Sequence, residues 1–285
     1  MSAAKSTRDP YQEVTDRISA ALEQGTVPWH RPWSASVGQP RSVDGRTYHG
    51  INALLLGLSE FGDPRWGTFK AMQAHGGKVR KGEHGTFVVF FKPLEIKDQD
   101  APNGKRTVPM LRYFYVFNAE QCDGLELEPL STDSQPIDPI DAAEAVFTGY
   151  ADGPSLAHGG DRACYSKTAD HVQMPLRDRF ESAEAYYLTL WHELTHSTGH
   201  ESRLARNELA EFERFGDANY SREELVAEMG SAMIAARVAV VQPNIDQSAA
   251  YIGGWLRALK NDKRLVVSAA SRAQHAANLI LGAES

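Results

Sequence analysis

The stretch that most restricts this chain is LWHELTHSTGH, residues 190–200. It contains His-Glu-x-x-His, a pattern with a chemical use only on a helix. There His192 and His196 project from one face about a turn apart. Both rings can then reach one metal ion at roughly 2.0–2.1 Å. Glu193 is offset from His192 by about 100°. That direction suits a general base, which takes a proton from a water beside the ion and passes it to a leaving amine. The flanks agree with a helix, because ESAEAYYLTLWHELTHSTG has Ser182 to cap its start and Gly199 to close its end. The plainer alternative is two ordinary helix histidines packed beneath Trp191 and Leu194.

A catalytic zinc takes three protein ligands and keeps one position open. The longer spacing HExxHxxGxxH fails here: Gly199 is in place, but Ser202 stands where the last histidine belongs. His200 lies four beyond His196, past the glycine where the helix turns, and is kept as an alternative ligand. The remaining candidates are Glu224 and Glu228 in REELVAEMG, which reads as a helix starting at Ser221. They share a face, so one can ligate while the other supports a ligating histidine. Ser221-x-x-Glu224 is also a capping-box pattern, and if Glu224 caps, Glu228 becomes the ligand. The arrangement resembles the thermolysin-like zinc peptidases, whose second helix carries a ligand glutamate and an acidic support four residues on. By that resemblance Glu224 is the ligand and Glu228 the support.

Around this core the chain divides. LELEPLSTDSQPIDPID, residues 125–141, has three prolines and no helical period, and reads as a linker between residues 8–124 and 142–285. Residues 1–125 carry 16 Lys and Arg against 13 Asp and Glu; residues 126–285 carry 14 against 24. A mildly basic half joined to an acidic half suggests different partners, although the total of −7 argues against a general nucleic-acid binder. The first half predicts a helix capped by Asp9 and ended by Gly25, short helices over 51–62 and 68–77, and strands over 85–92 and 111–118. The segment between the strands, with Lys92, Lys97, Lys105 and Arg106, reads as a mobile polar excursion. The second half is mostly helical, with a strand near HVQMP. Cys122 and Cys164 fit no metal or disulfide spacing and read as free thiols. No apolar run reaches membrane-span length, and the start lacks a leader pattern, so a cytoplasmic location and no membrane partner are expected.

HGGKVRKGEHGT contains GxxxxG, but Glu83 and His84 occupy the places where a phosphate loop needs Lys and Ser/Thr. It reads as a basic turn bearing Lys78, Arg80 and Lys81. Aromatic residues crowd around it: Trp29, Trp33, Tyr48 and Trp66 in loops, and seven more in the two strands. Cations interleaved with exposed rings suit a single-stranded nucleic acid. The plainer reading makes most of these rings the core of a small sheet.

Taken together, YQEVTDRISAALEQGTVPWHRPW, YHGINALLL, WGTFKAMQAHGGKVRKGEHGT, VFNAEQCDGL, YYLTLWHELTHSTGHESRL and REELVAEMGSAM resemble the ArdC-type antirestriction proteins of plasmids and phages. The resemblance runs from about Pro10 to the C-terminus. It implies an α+β chain of two domains: a small α+β single-stranded-DNA-binding domain, then a mostly helical zincin-like metallopeptidase domain. It implies His192 and His196 as ligands, Glu193 as base, and an acid of EELVAE to complete the site. One Zn²⁺ per chain is the expected cofactor, with Mn²⁺ or another divalent ion as the alternative. Trp29, Trp33, Lys78, Arg80 and Lys81 are the expected DNA contacts.

Two functions of different class follow. In the first, a DNA-tethered metallopeptidase cleaves a host protein that acts on incoming DNA, protecting that DNA from restriction. In the second, the first domain coats single-stranded DNA and the metal site is structural or silent. A metal-dependent nuclease is a weaker third, because such sites favour carboxylate-rich Mg²⁺ coordination.

Overall fold

In a computed structural model the described residues are 9–29, 39–98, 105–130, 139–206, 218–240 and 249–283. Helix α1 (Pro10–Glu23) begins as its sequence demands: the Asp9 carboxylate accepts from Tyr11 N–H, proline opens the first turn, and Gly25 leaves at φ +75°. Its period buries Val14, Ile18 and Leu22. Each contributes about 1.5–3 kcal/mol. β1 (Arg41–Ser42), α2 (Gly50–Gly57), β2 (Arg65–Gly67), α3 (Phe69–Ala74, capped by Thr68) and β3 (Lys78–Val79) follow. Then come β4 (Thr86–Lys97), β5 (Lys105–Asn118), one 3-10 turn and β6 (Cys122–Asp123). The main sheet has the order β1-β2-β5-β4, with only β1 and β2 parallel; β3 and β6 form a separate pair.

β4 and β5 are longer than their aromatic cores suggest. Lys92, Lys97, Lys105 and Arg106 belong to the ladder, which runs from Thr86↔Val116 to Lys97↔Lys105. The expected excursion is therefore a two-stranded ribbon out to the Lys97↔Lys105 pair. Pro93 and Pro109 stand opposite each other in it. A proline is tolerated in a narrow ribbon wherever its missing N–H would point outward. At the inner end, Asn52 of α2 closes the free edge of β4, accepting from Val89 N–H at 2.8 Å and donating to Val89 O at 2.7 Å.

The second domain holds α4 (Pro139–Gly149), β7 (Ser155–His158), β8 (Cys164–Ser166) and β9 (His171–Met174), in a sheet ordered β7-β9-β8. Helices α5 (Ala183–Ser197), α6 (Ala218–Arg237), α7 (Ala249–Asn261) and α8 (Leu265–Leu281) complete it. α6 starts three residues before the expected Ser221. α6 packs on both α5 and α8, while α1 and α2 of the first domain pack on α7 and α8. One hydrophobic core therefore runs through both domains, from Val14, Ile18 and Leu54 to Trp191, Met229 and Ala270. Cys122 and Cys164 are free thiols. Among the described residues no helix is long and apolar enough to cross a membrane.

Candidate metal centre

Helix α5 is set at both ends by polar side chains. Ser182 accepts from Ala185 N–H at its start. At its C-terminus the last carbonyls lack α-helical partners. Thr195 O accepts from Thr198 and Ser197 O from His200 N–H, and two arginines add further donors. Arg203 donates to Ser197 O at 2.8 Å and Arg206 donates to Thr195 O at 2.8 Å. Their charge also complements the negative end of the helix dipole. Arg203 continues to Asp170 and Tyr165 of the small sheet, which fixes the helix end against it.

α6 lies unusually close to α5. Ser231 Oγ donates to Leu188 O at 2.8 Å, and a Cβ built on Gly230 would stand 2.6 Å from Thr195 Cγ2. Only glycine allows that approach, which carries the acids of α6 up to the histidines of α5. Because α6 begins at Ala218, Glu224 sits in its second turn and not at its capping position. That removes the capping-box reading.

His192, His196 and Glu224 form a group whose ligand atoms all lie within 4.8 Å of one another. The two Nε2 atoms face each other at 3.1 Å. The Glu224 carboxylate stands 3.5 Å from each, one oxygen per ring. A tetrahedral ion with bonds of roughly 2.0–2.1 Å separates its ligands by about 3.3–3.4 Å, so these donors fit a divalent ion. Outside the triangle, Glu228 Oε1 is 3.8 Å from His192 Nδ1 and Glu223 Oε1 is 3.5 Å from His196 Nδ1. Each ring thus turns one nitrogen to the centre and the other to a carboxylate, which orients it. His200 is not in the group; its Nδ1 accepts from Ser202 N–H in the turn after α5. Glu193 is half-buried on the same helix.

Glu223 is the residue that sequence reading passed over. It is fully buried and bonded to Arg206 through both oxygens, at 2.5 and 3.1 Å. The run REEL showed two adjacent acids, but only contacts between elements reveal that the first faces the core. Arg206 lay in the visible SRLAR run just past the helix end, where a basic residue often takes free carbonyls.

The electrostatics follow from this ring of charge. Burial alone would lower the His196 pKa, but the Glu223 and Glu224 carboxylates outweigh it and push it up to about 10. For His192 burial is likewise outweighed, chiefly by Glu224, and the pKa is raised. Burial would raise the Glu224 pKa, but the two imidazoles hold the carboxyl far below its usual range.

The expected DNA contacts fare unevenly. Trp29 is only 4% exposed and packs edge-on against Trp255 at 5.1 Å. It is core, not a stacking platform: the long-range packing of α1 and α7 covers it, which local sequence cannot show. Trp33 lies outside the described residues. Lys78, Arg80 and Lys81 are exposed. Arg80, however, is engaged by Glu83 at 2.9 Å and Asp123 at 3.5 Å, so the turn is less positive than its sequence.

Known proteins carry the same organisation. Residues 8–117 match the family model for the N-terminal domain of anti-restriction factor ArdC, and residues 141–272 match that for a zincin-like metallopeptidase. The crystal structure of the metal-free antirestriction ArdC protein from the R388 plasmid is 40% identical, with a TM-score of 0.76 over 96% of this chain and 97% of that one. The Mn(II)-bound structure of the R388 protein is 42% identical, with a TM-score of 0.75 over 96% and 98% of the two chains. The protein y4eC of Sinorhizobium fredii is 36% identical over 95% of this chain and 91% of its own length. A DNA primase TraC of Escherichia coli is also 36% identical over 96% of this chain, which spans only 27% of that protein's length.

Proposed function

The chain belongs to the ArdC family of antirestriction proteins, and from that premise we propose that it is a divalent-metal-dependent peptidase tethered to single-stranded DNA. The observation that carries this reading is the tetrahedral spacing of His192, His196 and Glu224, with Glu193 beside them on α5. The Mn(II)-bound relative supports a divalent ion, and two imidazoles with one carboxylate favour zinc. Bound there, the ion would supply Lewis acidity. Glu193 Oε takes the proton of the attacking water and delivers it to the leaving amine nitrogen. Glu228 and Glu223 keep the two rings turned inward. The first domain holds incoming single-stranded DNA and brings the site to host proteins acting on it; the acidic second half favours basic, DNA-binding substrates.

The carboxylates of Glu223 and Glu224 raise the pKa values of these imidazoles, so an ion bound at their nitrogens competes with protons. Apparent metal affinity therefore rises with pH below about 10, the value to which His196 is pushed. Each displaced proton contributes up to about tenfold per pH unit. Metal titrations at pH 6 and pH 8 read this directly, and equal affinities at both would contradict the proton competition.

The reading itself is tested by stripping. Chelator-treated protein should lose its protection of DNA against a restriction endonuclease in transformed cells or extracts, and added Zn²⁺ or Mn²⁺ should restore it. Protection that survives complete stripping, while single-stranded-DNA binding persists, favours the coating function over the enzyme.

A further inference from the structure

The β4–β5 ribbon exposes an apolar strip with its own cations. Residues opposite each other in an antiparallel ladder share a face. Phe90↔Arg112, Lys92↔Met110, Leu94↔Val108 and Ile96↔Arg106 therefore lie on one side of it. Phe90 is 43% exposed and Leu94 37%, and Lys92, Arg106 and Arg112 are exposed too. No carboxylate occupies a ladder position on this face: Glu95 points to the other side, where it pairs with Lys105. Asp98, just beyond the strand, meets Arg106 at 3.1 Å. Phe90 packs edge-on against Phe114 at 5.6 Å, and Phe114 in turn rests on the small core of Trp66 and Val116. The exposed ring is thus braced from below and open above.

We propose that this face of the ribbon, with Phe90 stacking on a base and Lys92 and Arg112 contacting phosphates, is a single-stranded nucleic-acid-binding surface. This rests on the single-stranded-DNA reading above and assigns it to residues other than the basic turn. Charge complementarity selects a polyanion. The bare ring selects one with free base faces, which a duplex keeps stacked away. Asn52 closes the inner edge of β4, so the contact there is made by the face and not by adding a strand.

The test is fluorescence anisotropy of a labelled oligo-dT against the full chain over a range of salt. Phe90→Ala should weaken binding on the order of tenfold without changing the salt slope. Lys92→Gln with Arg112→Gln should make the slope of log affinity against log salt shallower by about 1.4. Neither ring nor slope effect should appear with duplex DNA of the same length. Wild-type chain that binds oligo-dT, with both variants matching it in affinity and slope, overturns the ribbon surface and leaves the single-strand reading intact. Wild-type chain that fails to bind oligo-dT overturns both. Equal affinity for polyglutamate shows a general polyanion contact and overturns the stacking.

Discussion

Arg206→Ala lowers the stability of the fold by about 3–5 kcal/mol, the cost of leaving a buried charge without its partner. The guanidinium donates to both oxygens of Glu223, to Thr198 Oγ1 and to Thr195 O, all in the interior. Removing it strands a fully buried carboxylate and takes one of the donors from Thr195 O, which keeps Thr198 N–H and Oγ1. For a chain of this size the midpoint of thermal unfolding should fall by roughly 10 °C. The double change Arg206→Ala with Glu223→Leu should recover much of that, because no unpaired charge remains. Thermal melts of the single and double variants check this. A single variant within about 1 kcal/mol of wild type would mean that water reaches the pair and that it does not brace His196.

For the proposed peptidase, Glu193→Gln should leave metal content unchanged and slow hydrolysis by about 10²–10⁴-fold, the usual contribution of a general base. The amide keeps the size and polarity of the side chain but cannot take a proton near neutral pH. His192, His196 and Glu224, which hold the ion in this account, are untouched. Measured turnover on a basic DNA-binding protein should collapse while the bound ion stays. If restriction protection survives the change but is abolished when DNA binding is lost, the peptidase is not the means of protection.

Much of this architecture was legible in the residues, for identifiable reasons. α1 and α5 carry their own start and stop signals in Asp9, Gly25 and Ser182, so local chemistry determined them. The pairing of His192 with His196 follows from helical geometry alone. What was missed depends on contacts between distant segments. The ribbon looked like a polar excursion because prolines and charges fill its outer half, yet a hairpin satisfies its backbone within itself and does not need buried side chains. Trp29 looked free because α7, which covers it, lies more than two hundred residues away. The Glu223–Arg206 pair spans two elements, and nothing in either segment announces the other.

The central claim is that α5 and α6 together build a divalent-metal site. Elemental analysis of purified wild type beside His192→Ala tests it most directly. The expected result is one zinc or similar ion per wild-type chain and none in the variant. No ion in the wild type after loading with zinc or manganese, or an ion kept by the variant at full occupancy, would contradict it.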